Sequence, residues 1–377
     1  MHQSELITPV LLIDEARFER NVARMNAQLE RLGVPLRPHL KTVKNIELAR
    51  RMIAGHPGGT TVSTLAEADY FFAAGIDDLL YAVGIAPGKL GEAARRMAEG
   101  MKLTLILDHP DAASAVADAA TGLDTDFRVL LEVDADGHRA GFRPDDTALV
   151  DAARILARGG ATAAGVMVHA GGSYGCRDRD CLVRMAAQER DAAVAAAQAL
   201  REAGFEAPVV SVGSTPTALF AEDLSGVTEI RAGVYAFMDL VMTGLGVCDL
   251  DDIAISVLTE VIGHREHQGE VVVDAGWMSL SRDRGTADQA IDRGYGVVCD
   301  EGGQVLEPEV IVKATNQEHG IVARRDGVAL DPDAFPIGRR LRVLPNHACA
   351  TAGQFELMWL TDSDNQPVAQ LGRCRGW

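Results

Sequence analysis

The chain is short of positive charge: 36 lysines and arginines stand against 54 aspartates and glutamates, a formal net charge of -18. Binding a polyanion needs a clustered basic face, and none is legible, so nucleic acid is excluded as an expected partner. Long apolar runs are missing too, which excludes a bilayer-spanning helix. The opening residues, MHQSELITPVLLID, lack a basic start followed by a long apolar stretch. No signal peptide is therefore expected, and the expected compartment is the cytoplasm. Cysteine is sparse and scattered, at 176, 181, 248, 299, 349 and 374, which does not read as a disulfide framework in a chain of this size. Cys176 and Cys181 are spaced too widely for a CxxC redox pair. No low-complexity tract or clean linker divides the chain.

What is there is ordinary globular material. Apolar residues make up 47% and charged residues 24% of a chain of 377 residues, which suits two domains, or one barrel plus an addition. The first two-thirds alternates short apolar runs with amphipathic stretches. The runs lie at 36–40, 60–63, 79–83, 103–107, 127–133, 163–169, 209–212 and 229–235, with helical patterns such as 45–54, 65–74, 146–158 and 182–203 between them. Eight such units predict an α/β fold, a (β/α)8 TIM barrel. A further apolar run, 9–13, lies outside that count. Beyond about residue 248 the runs 257–262, 271–273, 310–312, 320–322 and 341–344 are separated by Gly, Asp and Pro rather than by helices. That texture predicts a second, mainly antiparallel β domain. The expected division is a barrel over 15–248 and a β domain built from 1–14 plus 249–377.

Barrel enzymes carry their chemistry at the C-terminal ends of the strands. The first run ends in RPHLKT, placing Lys41 at the mouth, where burial would lower an amine's pKa and free it as a nucleophile. Taken alone, a solvated surface lysine is the plainer reading. The turns Gly213-Ser214-Thr215 and Arg231-Ala232-Gly233-Val234-Tyr235 are short, polar and contain glycine, so their backbone can face a phosphate, although tight turns often look the same. In the β domain, PNHACAT sets His347 and Cys349 two apart, on one side of an extended segment. A buried histidine beside a buried thiol would look no different. If the pair holds a metal, imidazole plus thiolate favours zinc.

In order along nearly the whole chain, the segments TPVLLID, RPHLKT, TVSTLAEA, EVDADGHRAG, SVGSTPT, EIRAGVYAFMD, VVDAGWM, NQEHG and PNHACAT resemble the fold-type III pyridoxal-phosphate (PLP) enzymes. These are the alanine-racemase-like barrels, and within them the likeness is to the D-serine dehydratase and D-threonine aldolase group. The most specific part of the likeness is RPHLKT combined with PNHACAT.

The resemblance implies PLP carried on Lys41, a phosphate cradle at Gly213, Ser214, Thr215, Gly233 and Val234, and Tyr235 beside it. It places Arg139 near the cofactor ring and Arg231 facing the pyridine nitrogen. His169 and Tyr174 are placed among the cofactor-binding residues, and with His319 could contact substrate, a core or supporting role being at least as good a reading for each. His347 and Cys349 match the dehydratases' Zn2+ ligands, with Gln317 and Glu318 expected to orient them. Related aldolases usually carry an aspartate where this chain has Cys349, which favours dehydration. The implied reaction is loss of water from a D-3-hydroxy amino acid, D-threo-3-hydroxyaspartate or D-serine, giving a 2-keto acid and ammonia. Lys41, His347 and Cys349 would be the catalytic groups.

The resemblance also implies a homodimer acting on a small-molecule substrate. Retro-aldol cleavage to glycine and an aldehyde is the runner-up. A racemase would need a second base, and a non-catalytic PLP carrier would not need the β domain. D-threo-3-hydroxyaspartate carries one carboxylate more than D-serine, which calls for an extra cation; Arg282 and Arg284 in SRDRG are candidates, unless they are merely solvated loop charges.

Overall fold

A computed structural model describes residues 2–377. It divides the chain into two compact units: one holds Arg24–Gly233 with Cys374–Trp377, the other holds residues up to Ala23 with Val234–Arg373. Strand β1 (Val10–Asp14) belongs to the second of these. The barrel unit comes from β2 (Thr60–Val62), β3 (Asp78–Gly84), β4 (Lys102–Leu107), β5 (Arg128–Val133), β6 (Thr162–Val168), β7 (Val209–Val212) and β8 (Glu229–Ile230), all parallel and in sequence order.

The first predicted strand is not a regular one. Pro35 and Pro38 lack an N–H, so the segment cannot build a continuous ladder. It nevertheless bridges both edges of the seven-stranded sheet, through single parallel pairings Leu36↔Ile230 and His39↔Thr61. Arg37 N–H donates to Ile230 (2.7 Å), His39 N–H to Ala232 (2.8 Å), and Thr61 N–H to Pro38 (2.9 Å). The segment is thus the eighth stave, and the barrel closes. The predicted eighth run shrinks to Glu229–Ile230 because the chain then turns through Gly233.

Strands such as β4 and β5 are buried along almost their whole length, as expected when helices cover one face and the barrel interior fills the other. Leu80, Ile106, Leu130, Ala164 and Met167 form the inner core cluster. The covering helices start on side-chain caps. Thr64, Asp146, Asp178 and Ser214 each accept a backbone N–H of the first turn, which satisfies donors the helix leaves open.

One expectation fails here. Cys176 and Cys181 form a disulfide, with Cα atoms 5.5 Å apart. The chain turns sharply into the helix Arg179–Glu202, capped by Asp178, and that turn folds a spacing of five into bonding range.

The second unit holds β9 (Ile255–Arg265), β10 (Glu270–Val273), β11 (Val297–Asp300), β12 (Val310–Thr315), β13 (Gly320–Arg324), β14 (Arg340–Leu344), β15 (Leu357–Thr361) and β16 (Pro367–Gly372). The sheet order is β10-β13-β12-β11-β14-β9-β1-β15-β16, and an added β9–β10 pairing closes the first six into a small barrel. The length of β9 allows this. Its first residues pair with β1 and β14, and its last with β10. All pairings are antiparallel except β1 with β15, where Leu12 lies opposite Trp359. Among the described residues no helix is long and apolar enough to cross a membrane.

Candidate active site

In the barrel unit the predicted residues gather at the C-terminal ends of the strands. Lys41 follows the closing segment, and its backbone N–H donates to His39 Nδ1 at 3.4 Å. Its side chain is exposed, not buried as the sequence led one to expect. The neighbours supply the special environment instead. Burial, then the charges of Lys41 and Arg231, hold His39 well below the ordinary histidine range.

His169, just past β6, is pushed down to about 3 by burial, with Arg139, Lys41 and Arg231 adding to the effect. It is therefore a neutral imidazole. Its Nδ1 lies 3.1 Å from the Gly213 carbonyl, which can only accept, so Nδ1 carries the proton and Nε2 keeps its lone pair. The Tyr174 ring lies 6.4 Å from that of His169.

The turn after β7 is built for close approach. Gly213 has φ +134°, and a Cβ there would sit 2.3 Å from the Arg231 carbonyl oxygen. At Gly233 a Cβ would sit 2.6 Å from the His39 carbonyl oxygen. Neither position tolerates a side chain. Ser214 and Thr215 are buried beside them, and Ser214 Oγ lies 3.3 Å from Ser173 Oγ. A small polyanion fits here: there are two places without a side chain, buried hydroxyls, and Lys41, Arg139 and Arg231 all acting on His169.

Arg231 is buried. Its guanidinium donates to Ser211 Oγ and to the Val168 carbonyl, both at 2.6 Å. Arg139 is more exposed and pairs with Glu132 at 2.6 Å. Val234 and Tyr235 fall in the other unit, buried on the short turn Val234–Ala236, and burial holds the Tyr235 phenol above its ordinary range.

The sequence reading missed Glu189. This buried carboxylate accepts the Ala170 N–H at 2.8 Å and also bonds Thr217 and the Gly213 backbone, so it ties the turn after β6 to the turn after β7. Burial raises its pKa. No periodicity could reveal it, because in an alanine-rich helix an acid looks like a solvated charge.

In the other unit, His347 and Cys349 lie not on an extended segment but at the start of the short helix Ala348–Ala352, with His347 at the cap position. The backbone turns there because Asp239, itself buried, accepts the Ala348 N–H at 2.9 Å. On the other side, Asn346 donates to the Gly294 carbonyl at 2.6 Å and accepts from Thr286 Oγ1 at 2.9 Å. Both ends of the motif are pinned.

The two side chains still meet, since His347 and Cys349 share a hydrogen bond. His347 Nδ1 lies 2.7 Å from Asp283 Oδ2. Burial alone would lower the His347 pKa, but Asp283, Cys349 and the charge of Asp239 raise it to about 11. The carboxylate holds the proton on Nδ1, so a metal that displaced the Nε2 proton would find Nε2 as the ligating atom, a common arrangement behind a metal-bound imidazole. Among the described residues no group of three or more His, Cys, Asp or Glu is arranged to hold a metal. An imidazole beside a thiol is a donor set whose chemistry fits a borderline-soft divalent metal such as zinc.

The expected orienting residues are not the ones in place. Gln317 bonds Glu318 at 3.2 Å on an exposed turn beside exposed His319, because the NQEHG segment is the hairpin between β12 and β13. Asp283 orients His347 instead. It lies between the two arginines of SRDRG.

Residues 13–241 match the family model of the alanine racemase N-terminal domain, and residues 254–361 match that of a serine dehydratase domain. The chain belongs to the alanine-racemase-like family.

Within that family it is 50% identical over 375 residues to the D-threo-3-hydroxyaspartate dehydratase of Delftia sp. strain HT23, covering 99% of this chain and 98% of that one. The solved structure of that relative matches with a TM-score of 0.97 at 49% identity, over 100% of both chains. The D-serine dehydratase of Dictyostelium discoideum is 29% identical over 396 residues, covering 99% of this chain and 98% of that one. The D-threonine aldolase of Arthrobacter sp. is 31% identical over 351 residues, covering 91% of this chain and 86% of that one. PLP is the cofactor expected of an alanine-racemase-like dehydratase, and the residues above fit its phosphate.

Proposed function

We propose that this chain is a PLP- and zinc-dependent lyase that removes water from a D-3-hydroxy amino acid, D-threo-3-hydroxyaspartate or D-serine, to give a 2-keto acid and ammonia. The observation that carries this reading is the His347–Cys349 pair with Asp283 behind it. Hydroxide leaves poorly, and an imidazole–thiolate pair with open positions is a donor set suited to help it leave. Two dehydratases among the relatives support the reading. A cysteine-to-alanine variant of a D-threo-3-hydroxyaspartate dehydratase has been solved in a metal-free form, which supports a metal in that enzyme. The proposed working form is a cytoplasmic homodimer.

When bound, PLP supplies the electron sink that makes loss of a Cα proton feasible. Lys41 Nζ would hold the cofactor and then take that proton. Arg231, fixed by Ser211 and Val168, would face the ring with a charge that cannot be given up. Gly213, Ser214, Thr215 and Gly233 would receive the phosphate. His169, neutral, would offer Nε2 as an acceptor. A divalent metal on His347 and Cys349 would supply a Lewis acid for the departing hydroxyl. Asp283 would keep the proton on Nδ1, so that Nε2 always faces the metal.

Incubation with PLP, zinc and a panel of D- and L-3-hydroxy amino acids tests this reading. Keto acid and ammonia are expected from D enantiomers alone, because a single base, Lys41, meets one face of the substrate. Glycine and an aldehyde would instead establish the aldolase reading, and equal turnover of L enantiomers would sink both. A second expectation concerns Asp283. Asp283→Ala should weaken zinc binding by about 10- to 100-fold, read by competition with a chromophoric chelator, while circular dichroism stays that of the parent.

A further inference from the structure

We infer that Arg282 determines specificity: its guanidinium receives the second carboxylate of D-threo-3-hydroxyaspartate, an inference that rests on the dehydratase reading above. The two proposed substrates differ by one carboxylate, and it is borne by the carbon whose hydroxyl departs. The group that reads it therefore belongs beside His347 and Cys349.

Arg282 is tied to that place from two sides. Its chain neighbour Asp283 holds His347 Nδ1 at 2.7 Å. Its guanidinium carbon lies 4.2 Å from the centroid of the Trp277 ring. Trp277 opens the short helix Trp277–Leu280, whose last carbonyl accepts Thr351 Oγ1, from the helix that carries Cys349, at 2.8 Å.

The other cations of this loop are already committed. Arg284 pairs with Asp292 at 2.6 Å, and Arg293 pairs with Glu309 at 3.6 Å. Arg282 is exposed and, among the described residues, has no acidic partner. Stacking on an indole covers a face of a guanidinium and holds it in one orientation. The N–H groups lie in its plane and stay open to a carboxylate in a two-point contact. In a chain of formal charge -18 a substrate with two carboxylates meets repulsion, and a fixed cation at the site offsets it locally.

The test compares Arg282→Gln with the parent holoenzyme, PLP and zinc loaded, on two readouts. The first is the ratio of kcat/KM for D-threo-3-hydroxyaspartate to that for D-serine. It should fall by about 10- to 100-fold, the worth of hydrogen bonds between charged groups. Arg282→Lys should recover only part of it, since an ammonium cannot make the two-point contact.

The second readout is calorimetric binding of D-aspartate against D-alanine, which have the two carboxylate patterns and no hydroxyl to lose. The parent's preference for D-aspartate should shrink in Arg282→Gln by a similar factor. An equal change for both substrates, or an unchanged ratio and preference, overturns the role of Arg282. A parent that releases keto acid from neither substrate overturns the dehydratase reading itself, and this inference with it.

Discussion

Replacing Lys41 by alanine is expected to lower kcat by about 10⁴-fold or more and to abolish covalent capture of the cofactor, because one amine would serve as both anchor and base. The position is well prepared. The His39 N–H to Ala232 and the Leu40 N–H to Thr61 bonds (2.8 and 2.9 Å) fix the backbone just before it, and Lys41 itself is exposed. Removing an exposed side chain should change stability by no more than about 0.5 kcal/mol, so the loss can be assigned to chemistry. Lys41→Arg should fare no better, since a guanidinium keeps the charge but is not a usable nucleophile at neutral pH. Borohydride reduction of the PLP-loaded protein followed by peptide mass mapping reads the outcome. The label should sit on Lys41 in the parent and be missing in the variant; a label on another lysine refutes the assignment.

The other large effect is expected at the proposed metal pair. His347→Ala, or thorough chelation of the parent, should cut keto-acid release by about 10³-fold or more, in line with the several kcal/mol a Lewis acid contributes to a departing oxygen. Cofactor capture on Lys41 should persist. The backbone of the motif is held by Asp239 and Asn346 rather than by the imidazole, so the loop should keep its place when the ring is gone. Cys349→Asp should retain a divalent ion but weaken the preference for zinc, because a carboxylate is a harder donor. Metal analysis run beside turnover of D-serine and D-threo-3-hydroxyaspartate checks both variants. Full activity in protein stripped of metal would falsify the metal role.

The barrel was legible because each middle strand is a run of apolar residues between amphipathic helices. It blurred at the two ends of the sheet for local reasons. Pro35 and Pro38 reduce the first stave to single bridges, and β8 stops at Ile230 because the chain must bend back over His39 through Gly233. In the β unit, β11, β15 and β16 escaped notice, since Val297–Asp300 is short and Pro367–Gly372 mixes polar and apolar residues.

At the site, motif spacing put His347 and Cys349 together but not on the right backbone. Whether His347 and Cys349 lie on a strand or a helical turn is decided by Asp239, more than a hundred residues away in the chain. Asp283 and Glu189 were invisible for the same reason: their partners, His347 and the Ala170 N–H, are set by tertiary contacts. The Cys176–Cys181 bond depends on the tightness of one helix entry, which spacing does not encode.

The pairing of β1 with β9 and β15 has a consequence for biosynthesis. Leu12 leaves the ribosome well before its partners Ser256 and Trp359. At a translation rate of roughly 5–20 residues per second, β1 waits on the order of 20–70 s for its last neighbour. During that interval the barrel unit can complete its sheet, whereas VLLID remains an apolar strand with open edges. The growing chain is therefore exposed to wrong pairing at VLLID, and a chaperone that shields this strand until Trp359 emerges would act where the risk is greatest.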